Sequence, residues 1–330
     1  MTRSTTLAGA IGVSLLFLVA SGHSTPTRTL VLAQSQPPDG AGARTRCAGA
    51  PVIARGTDVL DPDHLSVHDV IAIDQQLIRA EKERVISRQG PTRHSVGTRT
   101  SNSIVVRVYV HVLRGTRGGA VSRPRIERQV AVMNRAYAGK QSVLGAAAPF
   151  IFRLAGVDVT VNANWRRMDE GSVAERHAKR VLHLGGARAL NLYVNGSESG
   201  LLGWATQPTS YRRASLLDGV VVNRRTLPGG SRGRYSAGDV AVHETGHWLG
   251  LFHTFTGRCG NRGDLVADTA AESRPSYACP RKRNTCAAPG RDPIHNFMDY
   301  SYDGCMDRFT AGQSARMVRA WSTLRAGPGA

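Results

Sequence analysis

The chemistry available to this chain concentrates in one stretch, His243-Glu244-Thr245-Gly246-His247-Trp248-Leu249-Gly250-Leu251-Phe252-His253. On a helix, residues four apart share a face, so His243 and His247 project their imidazoles one above the other. Glu244 lies between them, placed to reach a metal-bound water without being a ligand itself. Gly250 permits a sharp backbone turn that a residue with a side chain would resist. That turn would bring His253 back as a third nitrogen ligand. Three protein ligands and one open position make a catalytic zinc site rather than a structural one.

A second group lies downstream, in Asn296-Phe297-Met298-Asp299-Tyr300-Ser301. By itself a methionine two residues before a tyrosine is ordinary core packing. Behind a histidine motif of this length it reads as a tight turn, with Met298 as an apolar floor under the imidazoles. Tyr300 would then stand near the metal, able to donate a hydrogen bond to a developing oxyanion.

Four of the five cysteines fall in the same loop-rich region: Cys259, Cys279, Cys286 and Cys305. With no C-x-x-C pair among them they point to two disulfides rather than a zinc knuckle. Spacing alone leaves all three pairings open.

With Asp264, Asp268-Thr269, Asp292-Pro293, Cys305 and Phe309-Thr310 added, these segments resemble the pappalysin family of metzincin metallopeptidases, in its cytophagalysin or ulilysin-like branch. The matching motifs run roughly from Asp239 to Met317; the region before them is similar only in the order of its elements. The resemblance implies an endopeptidase with an α/β (α+β) fold. A mixed twisted sheet with helices would lie above the cleft, and a small, irregular, disulfide-tied subdomain below it. It further implies pairing of Cys259 with Cys286 and of Cys279 with Cys305, and calcium as a second metal. Asp264, Asp268 and Thr269 offer the oxygen ligands that calcium prefers. Relatives favour a basic residue after the scissile bond; here only Asp303 and Asp307 supply negative charge nearby. Arg46-Cys47-Ala48-Gly49 resembles a cysteine switch, in which the Cys47 thiolate would fill the open zinc position and hold a precursor latent.

These residues need a scaffold. Ile104 to Leu113 is a β-branched run expected to form a buried strand. After Gly118-Gly119, Ser122 and Pro124 mark the start of a helix to about Tyr137. Phe150 to Leu154 and Val157 to Val161 read as a hairpin or two short strands, and Val173 to Leu182 as a helix. Leu190 to Val194 and Gly219 to Val222 read as strands. Ser236 is the expected N-cap of the histidine helix, with Asp239 complementing its dipole. The order of elements makes a mixed α/β sheet with packed helices. Gly200 to Ala205 is the candidate edge strand for pairing with extended substrate.

The N-terminal part reads as processing segments. Arg3 followed by apolar Leu7 to Ala20 is a signal-peptide pattern, too short for a confident membrane span. Residues 1–22 are therefore expected to be a signal peptide, 23–100 a propeptide and 101–330 the catalytic domain. Ser66 to Ser87 is expected to be helical, and Thr92 to Ser103 to be the cut segment. The chain has 330 residues and a formal charge of +19, with only four lysines among 43 basic residues. The arginines are scattered and no nucleic-acid module accompanies them, so nucleic acid is not an expected partner. The expected product is a secreted, extracellular monomer that acts on protein or peptide substrates without stable membrane association. Its metals would be one catalytic Zn2+ and, at the acidic loop, Ca2+. The competing readings are a catalytically silent metal-binding secreted protein, against which Glu244 argues, and a different metzincin family with a narrow peptide target.

Overall fold

The computed structural model describes residues 27–30, 65–88, 103–260 and 263–326. The expected signal peptide and Cys47 lie outside them. Six strands form one sheet in the order β1-β3-β2-β4-β6-β5. They are β1 (Thr27–Leu30), β2 (Ile104–Arg114), β3 (Phe150–Val161), β4 (Ala189–Asn195), β5 (Gly203–Ala205) and β6 (Val220–Asn223). All neighbours pair in parallel except β5, which runs antiparallel to β6 at the edge. The helices are α1 (Val67–Arg88), α2 (Arg123–Tyr137), α3 (Ala163–Arg166), α4 (Val173–Leu182), α5 (Asp239–Trp248) and α6 (Ala311–Ala320).

Alternation along the strands sorts the core into two layers. Val106, Val108, Val110 and Val112 of β2, with Leu190, Leu192 and Val194 of β4, pack against α2 and α5. Leu113, Tyr193 and Val221 face the other way, against Trp165, Ala178, Leu182 and Trp204. A sheet covered on both faces accounts for the nearly unbroken apolar runs in its central strands. One polar tie crosses it: buried His111 on β2 reaches Asp158 on β3 (2.5 Å) and Asn191 on β4 (2.9 Å).

Two sequence expectations need correction. Phe150 to Val161 is one strand, not a hairpin or two short strands: Val108 pairs with Leu154 and Tyr109 with Gly156, leaving Ala155 as a bulge. Gly156 is there for space rather than for a turn, since a Cβ on it would come 3.2 Å from the Tyr109 ring. Ser236 is not the N-cap of the histidine helix. Its hydroxyl donates to the Gly233 carbonyl (2.6 Å), and the helix begins later, after Gly238 in the left-handed region at φ +106°.

The helix α1 lies against the C-terminal end of the chain. Leu77 is buried with Ala320 and Leu324. Asp74 pairs with Arg316 (2.9 Å) and Glu81 with Arg319 (2.6 Å).

Candidate metal centre and catalytic cleft

The histidine helix α5 is buried along its whole length, so its orientation is fixed by packing rather than by propensity. Tyr137 on α2 donates its hydroxyl to the Val242 carbonyl (3.0 Å), and the Gln129 amide donates to the Gly238 carbonyl (2.8 Å). At the helix start, Asp303 Oδ2 accepts the Ala237 and Gly238 amides (2.7 and 3.2 Å). A carboxyl 65 residues downstream thus fixes the backbone that enters the helix, where Ser236 was expected to act. Behind the helix, Asp218 accepts from the Trp248 indole (2.9 Å) and from both arms of the Arg325 guanidinium (3.0 and 3.1 Å). That guanidinium also stacks on the Trp248 ring at 3.6 Å.

Past Trp248 the chain turns at Gly250 (φ +97°), where an added Cβ would strike Ala320. The turn delivers His253. The Nε2 atoms of His243, His247 and His253 then stand 3.0–3.2 Å apart, and among the described residues no other cluster of three or more His, Cys, Asp or Glu side chains converges closely enough to hold a metal ion.

The hydrogen bonds on the far side of the rings decide what this triangle is for. His243 Nδ1 donates to the Phe297 carbonyl (2.5 Å) and His247 Nδ1 to the Leu251 carbonyl (3.0 Å). A carbonyl only accepts, so both neutral rings carry the proton on Nδ1 and aim Nε2 lone pairs at a common point. Lone pairs converging in a buried site need a cation between them. Ligands at zinc–nitrogen distances of about 2.0–2.1 Å in a tetrahedron sit roughly 3.3 Å apart, close to the spacing found. The residues fit the ion.

Around this centre the structure places the other sequence candidates. Glu244 is buried, and β5 crosses directly over it: a Cβ on Gly203 would lie 2.8 Å from Glu244 Cγ and Oε1. Gly203 was read only as part of an edge strand. A glycine inside a strand is nevertheless the sequence mark of a close backbone approach. Met298 lies under α5, its sulfur 2.5 Å from where a Cβ of Gly246 would be. Its carbonyl accepts the amide of Thr254, next to His253 (3.1 Å). The Tyr300 ring stands 5.0 Å from the His253 ring and 5.9 Å from that of His243. Phe255 stacks on His253 at 4.7 Å.

The cysteines bond as Cys259–Cys286 and Cys279–Cys305, with Cα atoms 5.4 and 5.7 Å apart. The acidic loop divides. Asp268 accepts from the Thr310 hydroxyl (2.7 Å) and the Gly312 amide (2.8 Å) at the start of α6. Asp264 is buried and burial pushes its carboxyl up to about 7. Of the two carboxylates considered for a basic side chain, Asp303 faces the amides before α5 and Asp307 pairs with Arg308 (2.6 Å). Burial pushes Asp303 up to about 6, and burial together with the Asp303 charge pushes Asp239 up to about 8.

Residues 189–322, which hold the three histidines, Glu244, Met298, Tyr300 and the four bonded cysteines, match the peptidase family described as pregnancy-associated plasma protein-A. The chain is 39% identical over 259 residues to an extracellular metalloprotease of Pyricularia oryzae, spanning 77% of this chain and 87% of that one. It is 38% identical over 278 residues to an extracellular metalloprotease of Neurospora crassa, spanning 82% and 88%. The chain belongs to this peptidase family. Among solved structures it is similar to mature mirolysin of Tannerella forsythia in complex with a cleaved peptide. That match has a TM-score of 0.57 and 28% identity, covering 65% of this chain and 90% of mirolysin. A promirolysin mutant matches in fold, with TM-score 0.64 and 23% identity, over 80% of this chain and 94% of that one. Membership agrees with the sheet, the disulfides and the three-histidine centre. No described helix is long and apolar enough to cross a membrane.

Proposed function

We propose that this chain is a secreted zinc metalloendopeptidase, made as a precursor, in which His243, His247 and His253 hold the metal and Glu244 is the general base. The observation that carries the reading is the convergence of three Nε2 atoms at 3.0–3.2 Å, two of them with Nδ1 donating to carbonyls. The extracellular relatives support the secreted location.

When bound, zinc supplies a Lewis acid that acidifies water and polarises the scissile carbonyl. The chain's own groups do the rest. The Phe297 and Leu251 carbonyls keep His243 and His247 in the tautomer that ligates. Glu244 takes a proton from the attacking water and returns it to the leaving amine. Tyr300 donates to the oxygen on which negative charge develops, and Met298 supports the ligand helix from below. Substrate backbone pairs with the outer edge of β5, which carries it past Glu244 at Gly203.

The decisive test is casein digestion by wild type and by Glu244→Ala at matched zinc content. The variant should lose about 10²–10⁴-fold in rate, and a chelator should stop the wild type. A zinc-loaded Glu244→Ala protein as fast as wild type would sink the mechanism.

Two finer readings stand beside this. Residues 1–22 are a signal peptide, 23–100 a propeptide and 101–330 the catalytic domain, with Cys47 the latency switch. The wider span of the promirolysin match than of the mature one supports a pro-segment in the N-terminal part. A Cys47→Ala precursor should be active before processing; equal latency would remove Cys47 from the role. Calcium binds at the Asp264, Asp268 and Thr269 loop, whose carboxylate and hydroxyl oxygens are the ligand type that ion prefers. Calcium should raise the unfolding temperature of wild type and not of Asp264→Asn. The chain acts as a monomer, which sedimentation would check.

A further inference from the structure

At the carboxyl ends of β2, β4 and β6, adjacent parallel strands, the departing segments border a cavity of about 400 Å³. Arg125, Arg166, Arg224 and Arg225 line it, and Glu198 is the one carboxylate in its wall. Arginines that look scattered in the sequence therefore converge in space. Crevices at the carboxyl ends of parallel strands are where open α/β sheets commonly take their ligands.

The four guanidinium groups differ in what occupies them. Arg125 is spent on the protein, donating to the carbonyls of Pro228 (3.0 Å), Arg224 (2.8 Å) and Leu227 (3.1 Å). Arg225 is exposed and donates to the Ser231 hydroxyl (3.2 Å). Arg166 has one weak ion pair, 3.5 Å to a Glu198 carboxylate that is 75% exposed. Such a pair contributes little in water. For the Arg224 side chain the structure records no hydrogen bond or ion pair among the described residues.

Shape rather than charge holds Arg224 and Arg166. A Cβ on Gly196 would lie 3.0 Å from Arg166 Nε and 3.2 Å from Arg224 Nε. A Cβ on Gly119 would lie 2.6 Å from Arg224 Nη1. Two glycines thus open the room in which both guanidinium groups come together, against their mutual repulsion. A merely solvated pair would splay into water instead. Burial, and then the charges of Arg128 and Arg224, lower the Arg125 pKa, which reflects the same crowding. Two planar forks, each with parallel N–H donors, match the oxygens of a tetrahedral anion.

We propose that this cleft binds a phosphate-type oxyanion, clamped by Arg224 and Arg166. The anion comes either as a free ion or as a phosphorylated side chain on the peptide being cut. The second source is within reach: Gly203, which touches Glu244, pairs with Val222, only two residues before Arg224.

The test is titration of the full chain with inorganic phosphate against chloride at constant ionic strength, in wild type, Arg224→Gln and Arg166→Gln. Wild type should bind phosphate with Kd below about 1 mM, and each variant about tenfold more weakly. Phosphate held by zinc alone would be indifferent to both substitutions, so equal binding in all three proteins overturns the proposal. So does wild-type binding no tighter than chloride, a result that stands even if a variant fails to fold. A serine and phosphoserine pair of otherwise identical peptides then assigns the source. A phosphoserine preference in kcat/KM that Arg224→Gln abolishes places the anion on the substrate. No preference, with phosphate binding intact, assigns the site to the free ion.

Discussion

The sheet half of the molecule and the loop half that follows α5 supply the same metal site by different physics. In the sheet half, His243, Glu244 and His247 are set by a helical repeat and by a helix packed on one apolar face of the sheet. From Leu249 to Phe309 the described residues contain no helix or strand, only an isolated bridge between Asn296 and Arg308. There the chain is held by two disulfides and by buried carboxyls that accept backbone and hydroxyl donors: Glu272 from Thr254 and Ser276, Asp292 from Thr285, Asp299 from Ser276 and Tyr300. Regular structure satisfies its backbone internally, whereas an irregular segment must recruit side chains to do so. Acidic residues buried beside the metal centre therefore hold the loops and are not spare catalysts.

The comparison breaks most visibly at the crosslinks. Replacing Cys259 and Cys286 together with serine removes a constraint on a 27-residue separation, worth about 3 kcal/mol. The expectation is loss of activity and a lower first unfolding transition, with the far-ultraviolet signature of the sheet half retained. Simultaneous loss of all structure would show that the halves do not fold semi-independently. Gly203→Ala probes the other half. Its methyl would press on the Glu244 carboxylate and the Val221 carbonyl, an overpacking cost of about 1–3 kcal/mol. Peptide turnover should fall at least tenfold with zinc content unchanged, and wild-type turnover would refute the close approach.

Acidity tests where the halves meet, at Asp239 and Asp303. Both carboxyls have folded pKa values raised above the ordinary 3.8, to about 8 and about 6. The folded protein thus keeps protons that the unfolded chain releases near pH 4. Stability from this pair is fully present below that pH and is lost as pH rises through 6 and then 8. Thermal midpoints of metal-free protein should fall between pH 5 and 8, and Asp239→Asn should flatten the slope; parallel profiles would exclude the pair as its source. The smallest effect belongs to α1. Asp74→Asn breaks a partly exposed pair with Arg316, whose Nε also donates to the Gly250 carbonyl (2.8 Å). It should cost about 1 kcal/mol or less. A shift in the unfolding midpoint above several degrees would mean that α1 braces the Gly250 turn more firmly than a surface contact can.

The pairing of His243 with His247 and nearly every sheet and helix span were legible because each rests on a local period: four residues on a helix, two on a strand. His253 and Met298 were found through the glycine turn and the motif context instead. The disulfide pairing was reached only through family resemblance, because four cysteines at these spacings permit three connections. The single β3 strand was missed because a bulge and a turn both place a glycine amid apolar residues. The hold of Asp303 on the entry to α5 was missed because the two are far apart in sequence.

Sequence alone singled out the three histidines that the structure brings together: helical spacing puts His243 and His247 on one face, and Gly250 marks the turn before His253. Tertiary structure decided everything that depends on distant backbone. It set the carbonyls that choose the histidine tautomers, the glycine of β5 that lets a strand lie on Glu244, the carboxyl that starts the ligand helix, and the gathering of dispersed arginines at one end of the sheet. Hydrogen bonding and close packing act across space, and a linear pattern records only neighbours along the chain.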